Sequence, residues 1–128
     1  MNIGEVSQRS GLPAKTIRYY EEIGLVEIPR DPNGYRRFGE GELEHLSFLA
    51  RARGLGFSIE DCRALLGLYR NAERASADVK DIATRHLEAI EVKIRDLSTM
   101  RETLTSLVDS CLGDHSPTCA ILDGIAKS

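Results

Sequence analysis

Two groups of residues in this 128-residue chain have the types and spacing to do chemistry. The first is a pair of thiols. Cys111 and Cys119 bracket Leu112-Gly113-Asp114-His115-Ser116-Pro117-Thr118, a stretch punctuated by Gly and Pro and therefore read as a loop. A tight loop brings its two ends together. Two soft thiolates suit Cu(I) and its heavier relatives Ag(I) and Au(I), whereas a structural zinc site usually takes four nitrogen or sulfur ligands. One ion per two-cysteine loop is the expected stoichiometry. Within the loop the other candidate donors are His115 and Asp114, and a solvent-exposed loop histidine is the plainer reading of His115. Cys62 is different: its spacing with Ile59 and Leu65 makes it a buried helix residue rather than a ligand. Three cysteines are an odd number, and in the reducing compartment expected for this chain they do not read as a disulfide framework.

The second group is cationic and aromatic. Lys15, Arg18 and Tyr19 stand at i, i+3 and i+4, so one helical face carries all three. The other side, with Ala14, Ile17 and Glu21, can pack inward or face solvent. Lys and Arg neutralise phosphate, Arg can fork onto guanine edges, and a tyrosine hydroxyl adds a backbone contact. Taken alone, an ordinary solvated basic helix explains these residues equally well. A second patch, Tyr35, Arg36 and Arg37 with Arg30 nearby, changes that balance, and Arg51 and Arg53 can add a third.

Composition offers DNA binding no help. Residues 1–70 carry 10 Lys/Arg against 10 Asp/Glu, and residues 71–128 carry 7 against 10, for a net charge of −3. The case rests on placement, not on bulk charge. An apolar fraction of 41% and a charged fraction of 29% describe a soluble globular chain. No apolar run has the length to cross a bilayer, and Met1-Asn2-Ile3-Gly4-Glu5-Val6 lacks the basic start and apolar stretch of a signal peptide. A cytoplasmic protein with no membrane partner is the expectation.

Helical periodicity must position both groups. Asn2 can cap a first helix, with Glu5 in the return position of a capping box and Gly11 as its stop. Pro13 suits the opening turn of a second helix, which runs to Gly24 and carries the basic face. Two short helices around a Gly-containing turn read as a helix-turn-helix. Leu25–Ile28 and Tyr35–Phe38 are β-prone, and Asn33-Gly34 between them favours a hairpin turn, which together make a small β-wing. A third helix over about 39–53 buries Leu43, Leu46 and Ala50. A fourth is capped by Ser58 with Asp61 and buries Ile59, Cys62, Leu65, Leu66 and Tyr69.

From Ala77 to Ser110 neither Pro nor Gly interrupts the chain. That is a helix about 50 Å long at 1.5 Å per residue. Ala83, Leu87, Ile90, Ile94, Leu97, Leu104 and Val108 alternate three- and four-residue steps, broken only at Arg101 beside Met100. This is the seam of a two-stranded coiled coil, so a homodimer is expected. The expected fold class is therefore mainly α: a winged helix-turn-helix domain at 1–70, a junction at 71–76, a dimerisation helix at 77–110, a metal-binding loop at 111–119, and a short C-terminal helix and tail at 120–128.

The motifs carry a resemblance over nearly the whole chain. Ile3-Gly4-Glu5-Val6 with Gly11-Leu12, Thr16-Ile17-Arg18-Tyr19-Tyr20-Glu21, Gly24-Leu25-Val26 and Asn33-Gly34-Tyr35-Arg36 resemble the N-terminal domain of the MerR family. Ala52-Arg53-Gly54-Leu55-Gly56-Phe57-Ser58, Ser76-Ala77-Asp78-Val79-Lys80 and the terminal cysteine loop continue it. Within the family the match is to copper-efflux regulators of the CueR type, a heavy-metal-dependent subgroup.

The resemblance implies an antiparallel dimerisation helix and a transcription regulator that binds double-stranded promoter DNA as a dimer and acts on RNA polymerase there. In the family the operator lies between promoter elements spaced too far apart, and metal binding changes the DNA distortion. It also implies that Arg18, Tyr19 and Tyr20 fall on the recognition helix and Tyr35 and Arg36 on the wing, with Lys15 at a position that reaches DNA. For Tyr20, DNA contact and packing are equally good readings. Relatives that sense divalent ions begin the dimerisation helix with a cysteine. Here Ser76 stands there, which points to a monovalent ion and activation of copper-efflux genes. The alternatives are a thiol redox sensor and a divalent-metal sensor of the same type. A four-cysteine iron–sulfur site is excluded by ligand count. No Gly-rich phosphate loop, zinc-hydrolase motif or nucleophile–base pairing stands out, so no enzymatic activity is expected.

Overall fold

The structure, a computed structural model, describes residues 1–127, and Ser128 at the end of the expected tail lies outside them. Among the described residues the chain is helical with loops: α1 (Ile3–Ser10), α2 (Ala14–Glu22), α3 (Glu40–Gly54), α4 (Ile59–Tyr69), α5 (Ser76–Ser110) and α6 (Ala120–Ala126). The mainly α fold class holds.

Local chemistry explains most boundaries. Asn2 Oδ1 accepts the Glu5 N–H at 2.8 Å, and Gly11 closes α1 with φ +82°, a left-handed conformation that costs glycine little. Pro13 lies just before α2 and its carbonyl takes the Ile17 N–H. Ser58 Oγ accepts from Asp61 N–H at 3.1 Å to start α4. At α3 the Glu42 carboxylate reaches back to accept the Gly39 N–H at 2.8 Å, although Gly39 has no side chain to complete a box.

Two compact units divide the chain, Met1–Ile82 and Ala83–Ser128. In the first, α1 packs on α2 and α3, and α3 on α4. Val6, Ile17, Leu46, Leu49 and Cys62 are its most deeply buried side chains, and Val79 and Ile82 of α5 join the same core. The N-terminal unit thus extends past residue 70 to include the first turns of the long helix. Tyr69 departs from its expected burial. It is exposed, stacks on Phe48 with ring centroids 4.7 Å apart, and donates its hydroxyl to Glu44.

The β-prone segments do not become strands. Among the described residues the pairing is one isolated antiparallel bridge, Arg30 with Arg36. The reason is where the backbone donors go. Leu25 and Val26 N–H groups both turn back to the Tyr20 carbonyl and finish α2, and Pro29 and Pro32 have no N–H to give. What remains is that bridge, Asp31 N–H to the Tyr35 carbonyl at 2.8 Å and Arg37 N–H to the Pro29 carbonyl at 2.7 Å, closed by a tight turn: Gly34 N–H to the Asp31 carbonyl at 2.9 Å, with Asp31 Oδ1 accepting from Asn33 and Tyr35 N–H. The wing is a looped hairpin, not a sheet.

Along the Ala83–Ser128 unit α5 leaves its apolar stripe uncovered. Leu87, Ile94, Leu97, Met100, Leu104 and Val108 are all exposed. No helix among the described residues is long and apolar enough to cross a membrane.

Candidate nucleic-acid interface and thiol pair

On α2 the core-facing side is Ile17 and Tyr20, both buried. That choice turns Lys15, Arg18 and Tyr19 outward together, as their spacing requires. Tyr20 is only 4% exposed and belongs to the core cluster, so burial supports the packing one of its two readings. Burial raises the Tyr20 phenol above its ordinary value, against the opposing pull of Arg53. Arg53 is also committed, through a bond to the Phe57 carbonyl, to the turn between α3 and α4.

The wing turn projects Tyr35, 73% exposed, with Arg37 exposed beside it. Arg36 is held differently. Its Nε–H donates to Glu21 Oε1 on α2 at 2.8 Å, and Arg30 Nη2 donates to the same oxygen at 3.2 Å. Arg30 Nη1 also reaches the Gly34 carbonyl at 3.1 Å. At the far end of α2, Arg63 on α4 forks onto two carbonyls, Gly24 and Ile23, both at 3.1 Å. A guanidinium there meets the negative end of the helix dipole as well as its unpaired carbonyls. Neither Glu21 nor Arg63 stood out in the sequence. Helical spacing lets Glu21 face either inward or outward, and the only signal for Arg63 is a cation in the middle of an otherwise apolar helix pattern.

In the second unit the end of α5 and the start of α6 hold the thiols. Cys111 and Cys119 are both half-buried free thiols with Sγ atoms 3.9 Å apart. The loop between them is built from its own short side chains: Asp114 Oδ1 accepts from Ser116 N–H at 2.9 Å and Ser116 Oγ from Thr118 N–H at 3.2 Å, while Gly113 adopts φ +66°. Cys119 lies immediately before α6. The backbone N–H of Leu122, and to a lesser degree that of Ile121, holds its thiol below the ordinary value.

The donor set fits a soft ion. Two sulfurs on one metal at about 2.3 Å each can be no more than about 4.6 Å apart, and 3.9 Å falls inside that span while far exceeding a disulfide bond. Among the described residues no cluster of three or more His, Cys, Asp or Glu could hold a metal ion, so His115 and Asp114 do not converge on the pair. Cys62 is fully buried on α4, its thiol pushed up by that burial, as expected of a packing residue.

Known proteins are similar to this chain in sequence and in overall fold. The family model described as MerR HTH family regulatory protein matches residues 1–68, and the one described as MerR, DNA binding matches residues 43–107. The HTH-type transcriptional regulator HmrR of Rhizobium leguminosarum bv. viciae is 55% identical over 98% of this chain and 98% of its own length. The HTH-type transcriptional regulator CueR of Salmonella typhimurium is 42% identical over 98% of this chain and 92% of its own. The crystal structure of the transcription regulator PbrR691 from Ralstonia metallidurans CH34, in complex with lead(II), superposes with a TM-score of 0.84 at 28% identity, covering 98% of each chain. These relatives are regulators, not enzymes. By sequence over its full described length and by fold, the chain belongs to the MerR family of helix-turn-helix regulatory proteins.

Proposed function

We propose that this protein is a cytoplasmic, homodimeric transcription regulator that binds promoter DNA and, on capturing Cu(I) or its relatives Ag(I) and Au(I), activates genes for metal efflux. Lys15, Arg18 and Tyr19 on α2, with Tyr35, Arg36 and Arg37 on the wing, meet the DNA. Support for that assignment comes from their outward placement and from the DNA-binding family to which the chain belongs. The apolar stripe of α5 pairs with its counterpart on a second copy, because a run of exposed Leu, Ile and Val at coiled-coil spacing is stable only when covered.

The observation that carries the metal reading is the thiol pair, two sulfurs 3.9 Å apart with no third donor grouped beside them among the described residues. Two thiolates neutralise a monovalent cation and leave one negative charge. A divalent ion of the zinc type asks for more ligands, and Ser76 offers no thiolate where divalent-sensing relatives are expected to have one. Relatives named heavy metal-dependent transcription regulators in Rhizobium meliloti, and the lead(II) complex of PbrR691, support a metal-responsive reading. When bound, the ion supplies a covalent tie between Cys111 and Cys119. It shifts transcription only through a preference for one conformational state over the other, since equal affinity for both would shift nothing. RNA polymerase at the same promoter reads the outcome.

Transcription in vitro from a promoter with an over-long spacer tests the reading. Under reducing conditions, Cu(I) or Ag(I) should activate and Zn(II) or Hg(II) should not. Strong activation by zinc with none by Cu(I) or Ag(I) would overturn the monovalent assignment. Activation by a mild oxidant without metal would move the thiols to redox sensing.

A further inference from the structure

We infer that Glu21 is a positioning residue for DNA recognition: it holds the wing arginines in register with the α2 basic face. The inference rests on the reading that α2 and the wing contact DNA. It begins from what the wing lacks. The bridge between Arg30 and Arg36, with Asp31 N–H on the Tyr35 carbonyl at 2.8 Å and Arg37 N–H on the Pro29 carbonyl at 2.7 Å, ties the two limbs of the wing to each other rather than to α2. Glu21 supplies a tie to α2. One carboxylate oxygen collects Arg36 Nε and Arg30 Nη2, one from each limb of the turn, and Arg30 continues to the Gly34 carbonyl at its tip.

Exposure separates the Glu21–Arg36 pair, though not Arg30 with its side chain 46% exposed, from an ordinary surface ion pair, which contributes little. The Glu21 side chain is 18% exposed and that of Arg36 28%. The bond to Arg36 uses the Nε edge, so the Nη1–Nη2 end of the fork is the edge left to meet a phosphate. Glu21 also lies three residues after Arg18 on the same helix, within one turn. A rotation of α2 and a rotation of the wing are therefore coupled through one oxygen.

The same geometry poses an electrostatic paradox that makes the idea testable by sign. A carboxylate amid a cationic surface repels a polyanion. If Glu21 were only a charge, deleting it would tighten DNA binding. If it positions Arg36 and Arg30, deleting it weakens specific binding despite the more favourable net charge.

The experiment measures operator and non-specific DNA affinity for the full-length dimer carrying Glu21→Gln, Glu21→Asp, Arg18→Ala, Arg36→Ala and Glu21→Gln/Arg36→Ala. Glu21→Gln should lose about tenfold in operator affinity, the scale of a charge-assisted hydrogen bond, while non-specific affinity holds or rises. Glu21→Asp keeps the charge but withdraws the oxygen by one methylene, and should lose specific affinity too. In the double variant the Glu21 effect should largely vanish, since its target is gone. Should Glu21→Gln fail to fold, Glu21→Asp decides alone. Operator affinity in Glu21→Gln and Glu21→Asp equal to or above wild type, with Arg18→Ala and Arg36→Ala impaired, overturns the positioning role only. Unchanged binding in Arg18→Ala and Arg36→Ala overturns the underlying DNA-contact reading instead.

Discussion

Gly124 of α6 lies so close to Leu107 of α5 that a Cβ at residue 124 would collide with the Leu107 side chain. Glycine here is about approach rather than backbone conformation, because the helix runs through it. Ile121 and Gly124 face inward with partial burial, while Leu122 and Ile125 are exposed. Gly124→Val should force Leu107 aside or lift α6, at about 1–3 kcal/mol by the usual cost of overpacking. Faster amide exchange across residues 120–126, with metal-dependent activation reduced and operator affinity unchanged, is the expected result. Wild-type exchange in the valine variant would show that α6 does not depend on this contact.

Cys111→Ser and Cys119→Ser should each abolish metal-dependent activation and leave operator affinity within twofold of wild type, because both thiols lie in the Ala83–Ser128 unit, while the basic face belongs to Met1–Ile82. A serine hydroxyl is a hard, neutral donor that a soft monovalent ion disfavours. Competition titration with a Cu(I) chelator measures the loss directly. Retained tight binding in either single variant would remove the two-thiol site.

Arg63→Ala should destabilise the N-terminal unit by about 1 kcal/mol, the net scale of a hydrogen bond, since its two bonds to the Gly24 and Ile23 carbonyls are solvent-exposed. Operator affinity should fall with it, since those carbonyls end the helix carrying Arg18 and Tyr19. Arg63→Lys restores the charge at the helix terminus but not the fork, so it should recover only part of the loss. The urea midpoint and an operator titration together check this. An unaltered midpoint in the alanine variant would reduce the contact to a surface detail.

Leu97→Asp places a carboxylate in the middle of the exposed α5 stripe. If that stripe is covered in the dimer, burying the charge costs several kcal/mol, on the order of the penalty for an unpaired buried ion. Sedimentation at micromolar protein should show monomer where the wild type shows dimer, with operator binding lost. A wild type that sediments as monomer would contradict the dimer itself.

Much of the architecture is legible in the residues because its causes are local. Asn2, Gly11 and Ser58 mark helix ends through bonds reaching no more than a few residues along the chain. The uninterrupted stretch before Cys111 and its three-and-four spacing foretell α5 and its uncovered stripe, and the spacing of Lys15, Arg18 and Tyr19 foretells a shared outward face. The thiols, separated by a Gly- and Pro-punctuated loop, come together for the same reason.

Tertiary structure alone decided the rest, because it depends on which groups compete for the same partner. Tyr20 sits one residue from Tyr19 with the same chemistry, and only packing against the core buries one ring and frees the other. The β-prone segments do not pair with each other beyond the Arg30–Arg36 bridge, because the Tyr20 carbonyl in the last turn of α2 takes the Leu25 and Val26 donors first. Glu21 and Arg63 read as ordinary charged residues until folding brings Arg36 and the end of α2 beside them, 15 and about 40 positions away. Residue type and periodicity determine what a segment can become and which way its faces point. Competition for hydrogen-bond donors and for buried space, settled between residues far apart in the chain, determines which of those possibilities is realised.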